Sequence, residues 1–283
     1  MKVLVTGVKG QLGYDVMKVL KSRKIDCIGA DLEQFDITDL EATEKFIKEY
    51  HPDTVIHCSA FTAVDRAEEQ LDLCRKVNEE GPRNIAKVCK ELNAKMIYIS
   101  TDYVFPGVGD HAYEPDDPTG PLSVYGETKL EGEKAVQALL NRYFIVRISW
   151  VFGKNGNNFI KTMLRLSETH DEVSVVCDQI GSPTYTADLA PLLCDMAETE
   201  KYGVYHATNE GYCSWSDFAK EIFRQAGRST KVHAIPSDQY PAKAHRPENS
   251  RMSKDKLVEN GFHRLPTWQD ALSRYLTEIN EKA

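Results

Sequence analysis

Tyr125 and Lys129 stand four residues apart in Ser123-Val124-Tyr125-Gly126-Glu127-Thr128-Lys129, a segment that can open a helix. At that spacing both side chains project from one helical face. A phenol ionises near ~10 and a lysine ammonium near ~10.4, so a neighbouring cation stabilises the phenolate and brings Tyr125 closer to neutrality. A phenol tuned in this way exchanges protons with a substrate oxygen. The same spacing also describes an exposed tyrosine lying over a lysine stem, and the upstream residues weigh between the two. Met96-Ile97-Tyr98-Ile99 reads as a strand running into Ser100-Thr101-Asp102, which brings hydroxyls to a strand's carboxyl end. There Thr101 can hydrogen-bond the reacting oxygen beside Tyr125, its plainer use being a strand-end cap.

A second constellation opens the chain. Val3-Leu4-Val5 leads into Gly7-x-x-Gly10-x-x-Gly13. A glycine turn between a first strand and a first helix lets the backbone approach a pyrophosphate and aims a helix N-terminus at its charge. Asp31 ends the second strand, where a ribose-binding carboxylate belongs. A carboxylate there binds ribose hydroxyls and repels a 2′-phosphate, which favours NADH, whereas Lys9 could neutralise that phosphate or stay solvated. The two together predict use of either NADH or NADPH. Asp36 and Ile37 are placed to border an adenine, Asp36 alternatively capping the next helix. Ser59-Ala60-Phe61-Thr62 sits at another strand's carboxyl end, where small side chains leave room for cofactor ribose and nicotinamide.

The elements that must position these groups alternate. Strands are expected at Lys2–Val5, Asp26–Ala30, Thr54–Cys58, Lys95–Ile99, Tyr143–Trp150 and Val204–Ala207, and helices open near Gln11, Leu40, Gln70–Pro82, Tyr125 and Thr186. That alternation predicts an α/β fold, a Rossmann-type doubly wound parallel sheet with helices on both faces. Residues 152–185 and 210–283 differ in texture, with Gly-Asn clusters, Pro-bounded turns and amphipathic helices near Ser216–Gln225 and Thr267–Ile279. They are expected to form a smaller substrate-binding lobe, leaving 1–151 plus about 186–209 as the cofactor-binding domain. A net charge of −8 over 283 residues argues against nucleic-acid and anionic-membrane partners. Seven scattered cysteines, an odd number without metal-ligand spacing, read as reduced thiols. Lacking a signal-like apolar core or a run near the ~20 residues of a membrane span, the chain is expected to be cytoplasmic.

With these motifs the chain resembles the extended short-chain dehydrogenases/reductases, and more narrowly the RmlD-type dTDP-4-dehydrorhamnose reductases. The narrower likeness is carried by Ser149-Trp150-Val151-Phe152-Gly153, Asp178-Gln179-Ile180-Gly181-Ser182-Pro183-Thr184 and Arg246-Pro247-Glu248-Asn249-Ser250-Arg251. The resemblance implies NAD(P)H-dependent reduction of a dTDP-4-dehydro-β-L-rhamnose at C4, the last step of dTDP-L-rhamnose synthesis. It implies cofactor contacts at Gly7, Gly10, Gln11, Leu12, Asp31, Asp36, Ile37, Ala60, Phe61 and Thr62, with Lys129 touching the nicotinamide ribose while tuning Tyr125. Thr101, Asp102 and Trp150 carry over to the sugar; a tryptophan face packs on the apolar side of a deoxysugar, the other use of Trp150 being a core anchor between lobes. Asn158, Gln179, Arg246 and Arg251 are candidates for the nucleotide diphosphate, arginine through its forked donors, with surface ion pairs as the other use.

Some members of the family form homodimers through Mg2+ held by acidic residues near both chain ends. Asp15 could contribute, but no full ligand set is legible, so no metal site is assigned. Two other functions share much of this pattern. A nucleotide-sugar epimerase or dehydratase uses the same tyrosine and lysine, though Thr101-Asp102-Tyr103 lacks the glutamate a dehydratase usually places after the aspartate. A non-catalytic NAD(P)-binding regulatory subunit, such as the relatives that partner methionine adenosyltransferase, would not need the intact Thr101, Tyr125 and Lys129.

Overall fold

Short runs of β-branched and aliphatic residues, each followed by a helix, build the larger part of the molecule. A computed structural model describes residues 1–280. In chain order the first half is β1 (Lys2–Thr6), α1 (Gln11–Ser22), β2 (Asp26–Ala30), α2 (Leu40–Tyr50), β3 (Thr54–His57), α3 (Val64–Ala67), α4 (Leu71–Arg75), α5 (Gly81–Leu92), β4 (Lys95–Thr101), α6 (Val124–Leu139) and β5 (Tyr143–Ile148). The second half holds β6 (Val151–Phe152), α7 (Phe159–Leu166), β7 (Glu172–Val176), β8 (Ile180–Gly181), β9 (Thr184–Tyr185), α8 (Thr186–Ala197), β10 (Gly203–His206), β11 (Cys213–Ser214), α9 (Trp215–Gln225), β12 (Lys231–Ile235), α10 (Asp255–Glu259) and α11 (Trp268–Asn280).

Six strands form one parallel sheet in the order β10-β5-β4-β3-β1-β2. Successive side chains point to opposite faces, so Val3 and Val5 pack with Val16, Leu20, Leu189 and Leu193 beneath α1 and α8. Leu4 packs on the other side with Val55, Ile85, Val88 and Val136, beneath α2, α5 and α6. Both faces are therefore dry, as a parallel sheet requires. The chain direction across the sheet reverses between β1 and β3, the place where doubly wound folds open a crevice.

α4 and α5 are one helix interrupted by a π turn at Lys76–Glu80. Pro82 has no N–H to give the Asn78 carbonyl, and the Tyr98 hydroxyl donates to that carbonyl instead, at 3.3 Å. A third core joins Phe152, Ile160, Met163, Phe218, Ile222, Trp268, Leu272 and Tyr275 beside the sheet. One stretch crosses the expected division: Leu257, Phe262 and Leu265, from the segment expected in the smaller lobe, pack into the core under the sheet. The parallel pair β7 and β12 was not legible either. Its outward residues, Glu172, Ser174, Lys231 and His233, break the apolar run that marks a strand. All seven cysteines are free thiols, and among the described residues no helix is long and apolar enough to cross a membrane.

Candidate active site

A cavity of about 760 Å³ opens at the carboxyl ends of β1, β3, β4 and β5. At one end lie Asp31, Asp36 and Ile37; at the other, Trp150 and Trp215. Thr101, Asp102, Tyr125 and Lys129 line its middle.

The glycine turn closes the floor. Gly7 adopts φ +72° and gives its N–H to the Ala30 carbonyl at 2.9 Å. A Cβ on Gly13 would fall 2.3 Å from the Gly7 carbonyl oxygen, so helix and turn meet backbone to backbone. Gly10 caps α1 without any side-chain hydrogen bond, which leaves the helix N-terminus open to an anion. Gln11 and Leu12 follow on the cavity wall. A dinucleotide pyrophosphate fits this cradle: bare amides, a helix dipole and no Cβ in the way.

At the β2 end, Asp31 accepts from the Lys9 amide at 2.8 Å and from the Leu32 amide at 3.2 Å. The Lys9 ammonium is paired with Glu33, so its charge is already partly balanced. Asp36 accepts from the Thr38 amide at 2.9 Å, and the cap of α2 is Asp39, not Asp36. Ala60 and Thr62 reach the cavity. Phe61 does not line it; its N–H and carbonyl are both held by the Asn78 side chain, at 2.8 and 3.1 Å.

Ser123 caps α6 through the Gly126 amide and so starts the helix that carries Tyr125 and Lys129. The Lys129 ammonium donates to the Ile99 carbonyl at 2.7 Å and lies 4.1 Å from the centre of the Tyr98 ring. Only 2% of Lys129 is exposed. Burial, partly offset by the charge of Glu133, drops its pKa to about 7. The Tyr125 phenol moves opposite to the sequence expectation. Burial pushes it above its ordinary value and the negative charge of Asp102 raises it further, while its hydroxyl stands beside that of Thr101. Lys129 does not reverse this, since desolvation disfavours the charged form of both groups at once.

Thr101 ends β4 and gives its hydroxyl proton to Asp102 Oδ1 at 2.9 Å. Asp102 is only 3% exposed; its other oxygen accepts from the Ser250 hydroxyl at 2.5 Å. Burial lifts this carboxyl to about 6 against the pull of both hydroxyls.

Trp150 follows the end of β5 with φ +50°, a conformation that costs a residue with a Cβ roughly 1–3 kcal/mol and calls for compensation. Its ring stacks on Trp215 with centroids 3.8 Å apart, and both rings line the cavity. This turn also ends the strand at Ile148, before the Trp150 boundary expected from sequence.

The four residues expected at the diphosphate lie off the cavity wall, and each bonds within the protein. Asn158 caps α7 and donates to Gln11, the Gly153 carbonyl and Tyr275 at 3.0, 3.0 and 2.9 Å. Its neighbours Gly156 and Asn157 reach the cavity instead. Gln179 donates to Ser237 at 2.9 Å. Arg246 clasps Asp65 with two bonds of 2.7 and 3.1 Å, and Arg251 donates to Asn249 at 2.9 Å. Asp15 is buried on α1, where it accepts from the Thr186 hydroxyl at 2.5 Å. Among the described residues no three His, Cys, Asp or Glu side chains gather as a metal site.

Trp215, Ser250 and Tyr103 were not singled out as site residues. The Ser214 cap before an aromatic at a helix start was the one available signal for Trp215.

A family model described as "RmlD substrate binding domain" matches residues 1–281. The spore coat polysaccharide biosynthesis protein SpsK of Bacillus subtilis is 39% identical over 98% of this chain and 97% of its own length. The crystal structure of a dTDP-4-dehydrorhamnose reductase from Clostridium acetobutylicum is 43% identical, covers 99% of this chain and 100% of its own, and superposes with a TM-score of 0.97. That of the Bacillus anthracis reductase in complex with NADP is 42% identical over 98% and 99% of the two chains, with a TM-score of 0.95. With its glycine cradle, Tyr125 and Lys129 set on one cavity, and similarity running along nearly its whole length, the chain belongs to the RmlD family of dTDP-4-dehydrorhamnose reductases.

Proposed function

We propose that this protein reduces the C4 ketone of dTDP-4-dehydro-β-L-rhamnose to give dTDP-β-L-rhamnose, with NADPH or NADH as reductant. The observation that carries the proposal is the convergence of Thr101, Tyr125 and Lys129 on the same cavity as the open N-terminus of α1. A reduced nicotinamide bound there would supply the hydride. Tyr125 donates the proton to the C4 oxygen, and its burial keeps the phenol protonated at neutral pH, ready to act as an acid. Lys129 lies one helical turn away, where its cation would compensate the phenolate left behind. Thr101, its own proton committed to Asp102 and one lone pair to the Tyr103 amide, offers its other lone pair to the phenol O–H and aims it. Trp150 and Trp215 provide flat apolar surface for the deoxysugar. Asp31 would bind the adenosine ribose hydroxyls, and Lys9 only partly relieves its repulsion of a 2′-phosphate.

The test is cofactor absorbance with the purified protein, both cofactors and the dTDP-4-keto sugar. Stoichiometric cofactor oxidation that depends on the keto sugar supports the reduction. Conversion of a dTDP-sugar without net cofactor use would replace it with an epimerase or dehydratase, and cofactor binding without turnover would replace it with a regulatory subunit.

A further inference from the structure

We propose that Ser250 is a positioning residue for the reduction, acting through Asp102 on the Thr101 hydroxyl. The inference rests on the role given above to Thr101. Ser250 lies 148 residues from Asp102 in sequence, on the segment that crosses behind the catalytic strand end. It does not line the cavity, so it offers the substrate no direct contact.

The geometry gives it one task. Thr101 has a single hydroxyl proton, and that proton goes to Asp102 Oδ1. One lone pair of the Thr101 hydroxyl accepts from the Tyr103 amide at 3.3 Å, so the direction of the other depends on where the Asp102 carboxyl draws the proton. The backbone amides of Asp102 and Tyr103 also face this carboxyl, but only the two hydroxyls hold its oxygens apart on opposite sides, and losing one lets it turn about its Cβ–Cγ bond. Ser250 supplies the second hold, on Oδ2. Hydrogen bonds to a charged group are worth roughly ten- to hundredfold in an equilibrium, and a buried oxygen left without its donor loses that much.

The segment around Ser250 is fixed by contacts that do not involve its hydroxyl. The Ser250 amide donates to the Ile180 carbonyl at 2.7 Å, the Asn249 amide to Gly107 at 2.9 Å, and the Asn249 side chain to His111 at 2.8 Å. A Cβ on Gly181 would come within 3.0 Å of the Ser250 Cβ, so the glycine admits the serine at this depth. Removing the hydroxyl should thus free the carboxyl without releasing the segment.

The experiment is a double-mutant cycle. Ser250→Ala should lower kcat roughly ten- to hundredfold, with KM for the keto sugar and Kd for reduced cofactor each within about threefold of the parent. In a Thr101→Val background, followed by single-turnover cofactor absorbance, Ser250→Ala should cost almost nothing more, since the group it aims is gone. Ser250→Cys conserves volume and offers only a weak donor, so it should lower kcat in the same sense and serves if Ser250→Ala does not fold. Losses that multiply across the cycle, a rise in KM without a fall in kcat, or a wild-type kcat in Ser250→Cys would each overturn the inference. A Thr101→Val protein with undiminished kcat would overturn the role of Thr101 itself, a distinguishable failure.

Discussion

Replacing Lys129 with methionine should stabilise the protein while disabling it. Lys129 is buried beside a carbonyl and an aromatic ring, with no carboxylate within ion-pair distance among the described contacts, and its pKa falls from 10.5 to about 7. Below pH 7 the lysine is protonated in both folded and unfolded chains, and the whole cost of burying the cation weighs on the fold. Between pH 7 and 10.5 the unfolded chain binds the extra proton, so stability rises with pH and the cost fades. At 1.36 kcal/mol per pKa unit the cost is about 5 kcal/mol at pH 6 and about 1–2 kcal/mol at pH 9.5. Methionine fills nearly the same volume but forgoes the bond to the Ile99 carbonyl, worth about 1 kcal/mol. The net gain at pH 6 should be roughly 2–4 kcal/mol, which raises Tm by several degrees for a chain of this size. Thermal unfolding of parent and Lys129→Met at both pH values, without cofactor, measures it, and the keto-sugar assay should show turnover lost. A variant less stable than the parent at pH 6, or a gain that does not shrink at pH 9.5, would refute the reasoning.

Tyr125→Phe should retain cofactor affinity and lose about 10²–10⁴-fold in kcat, the usual worth of a general acid; near-normal turnover would remove Tyr125 from that role. Asp31→Asn should raise kcat/KM for NADPH relative to NADH by about tenfold after solvent screening. Glu33→Gln should move the ratio the same way by freeing the Lys9 ammonium, whereas Lys9→Ala should change it little; steady-state kinetics with both cofactors would expose an opposite order. Gly13→Ala should cost about 1–3 kcal/mol and weaken cofactor binding, because its Cβ would run into the backbone of Gly7 and Val8. Gly10→Ala, whose Cβ would stand 3.2 Å from the same oxygen, should be the milder change by both unfolding and cofactor titration.

The parts of this protein that rest on short-range order were legible in its sequence. The strand, glycine turn and helix from Lys2 to Ser22 follow from aliphatic runs and from glycines at positions where backbone meets backbone. Tyr125 and Lys129 share a wall because a helix repeats every 3.6 residues. The six-stranded parallel sheet follows from buried strands alternating with amphipathic helices. Other features exist only once distant segments meet. Trp215 stacks on Trp150, and Ser250 bonds Asp102 across 148 residues of sequence. Asn158, Gln179, Arg246 and Arg251 have donors suited to a diphosphate, and only the fold shows that each also bonds within the protein, Asn158 and Arg246 through several donors and Gln179 and Arg251 through one nitrogen each. The direction of the Tyr125 shift was likewise decided in three dimensions. Spacing along a helix puts a cation near a phenol, whereas desolvation depends on everything packed around both, and here desolvation is the larger effect.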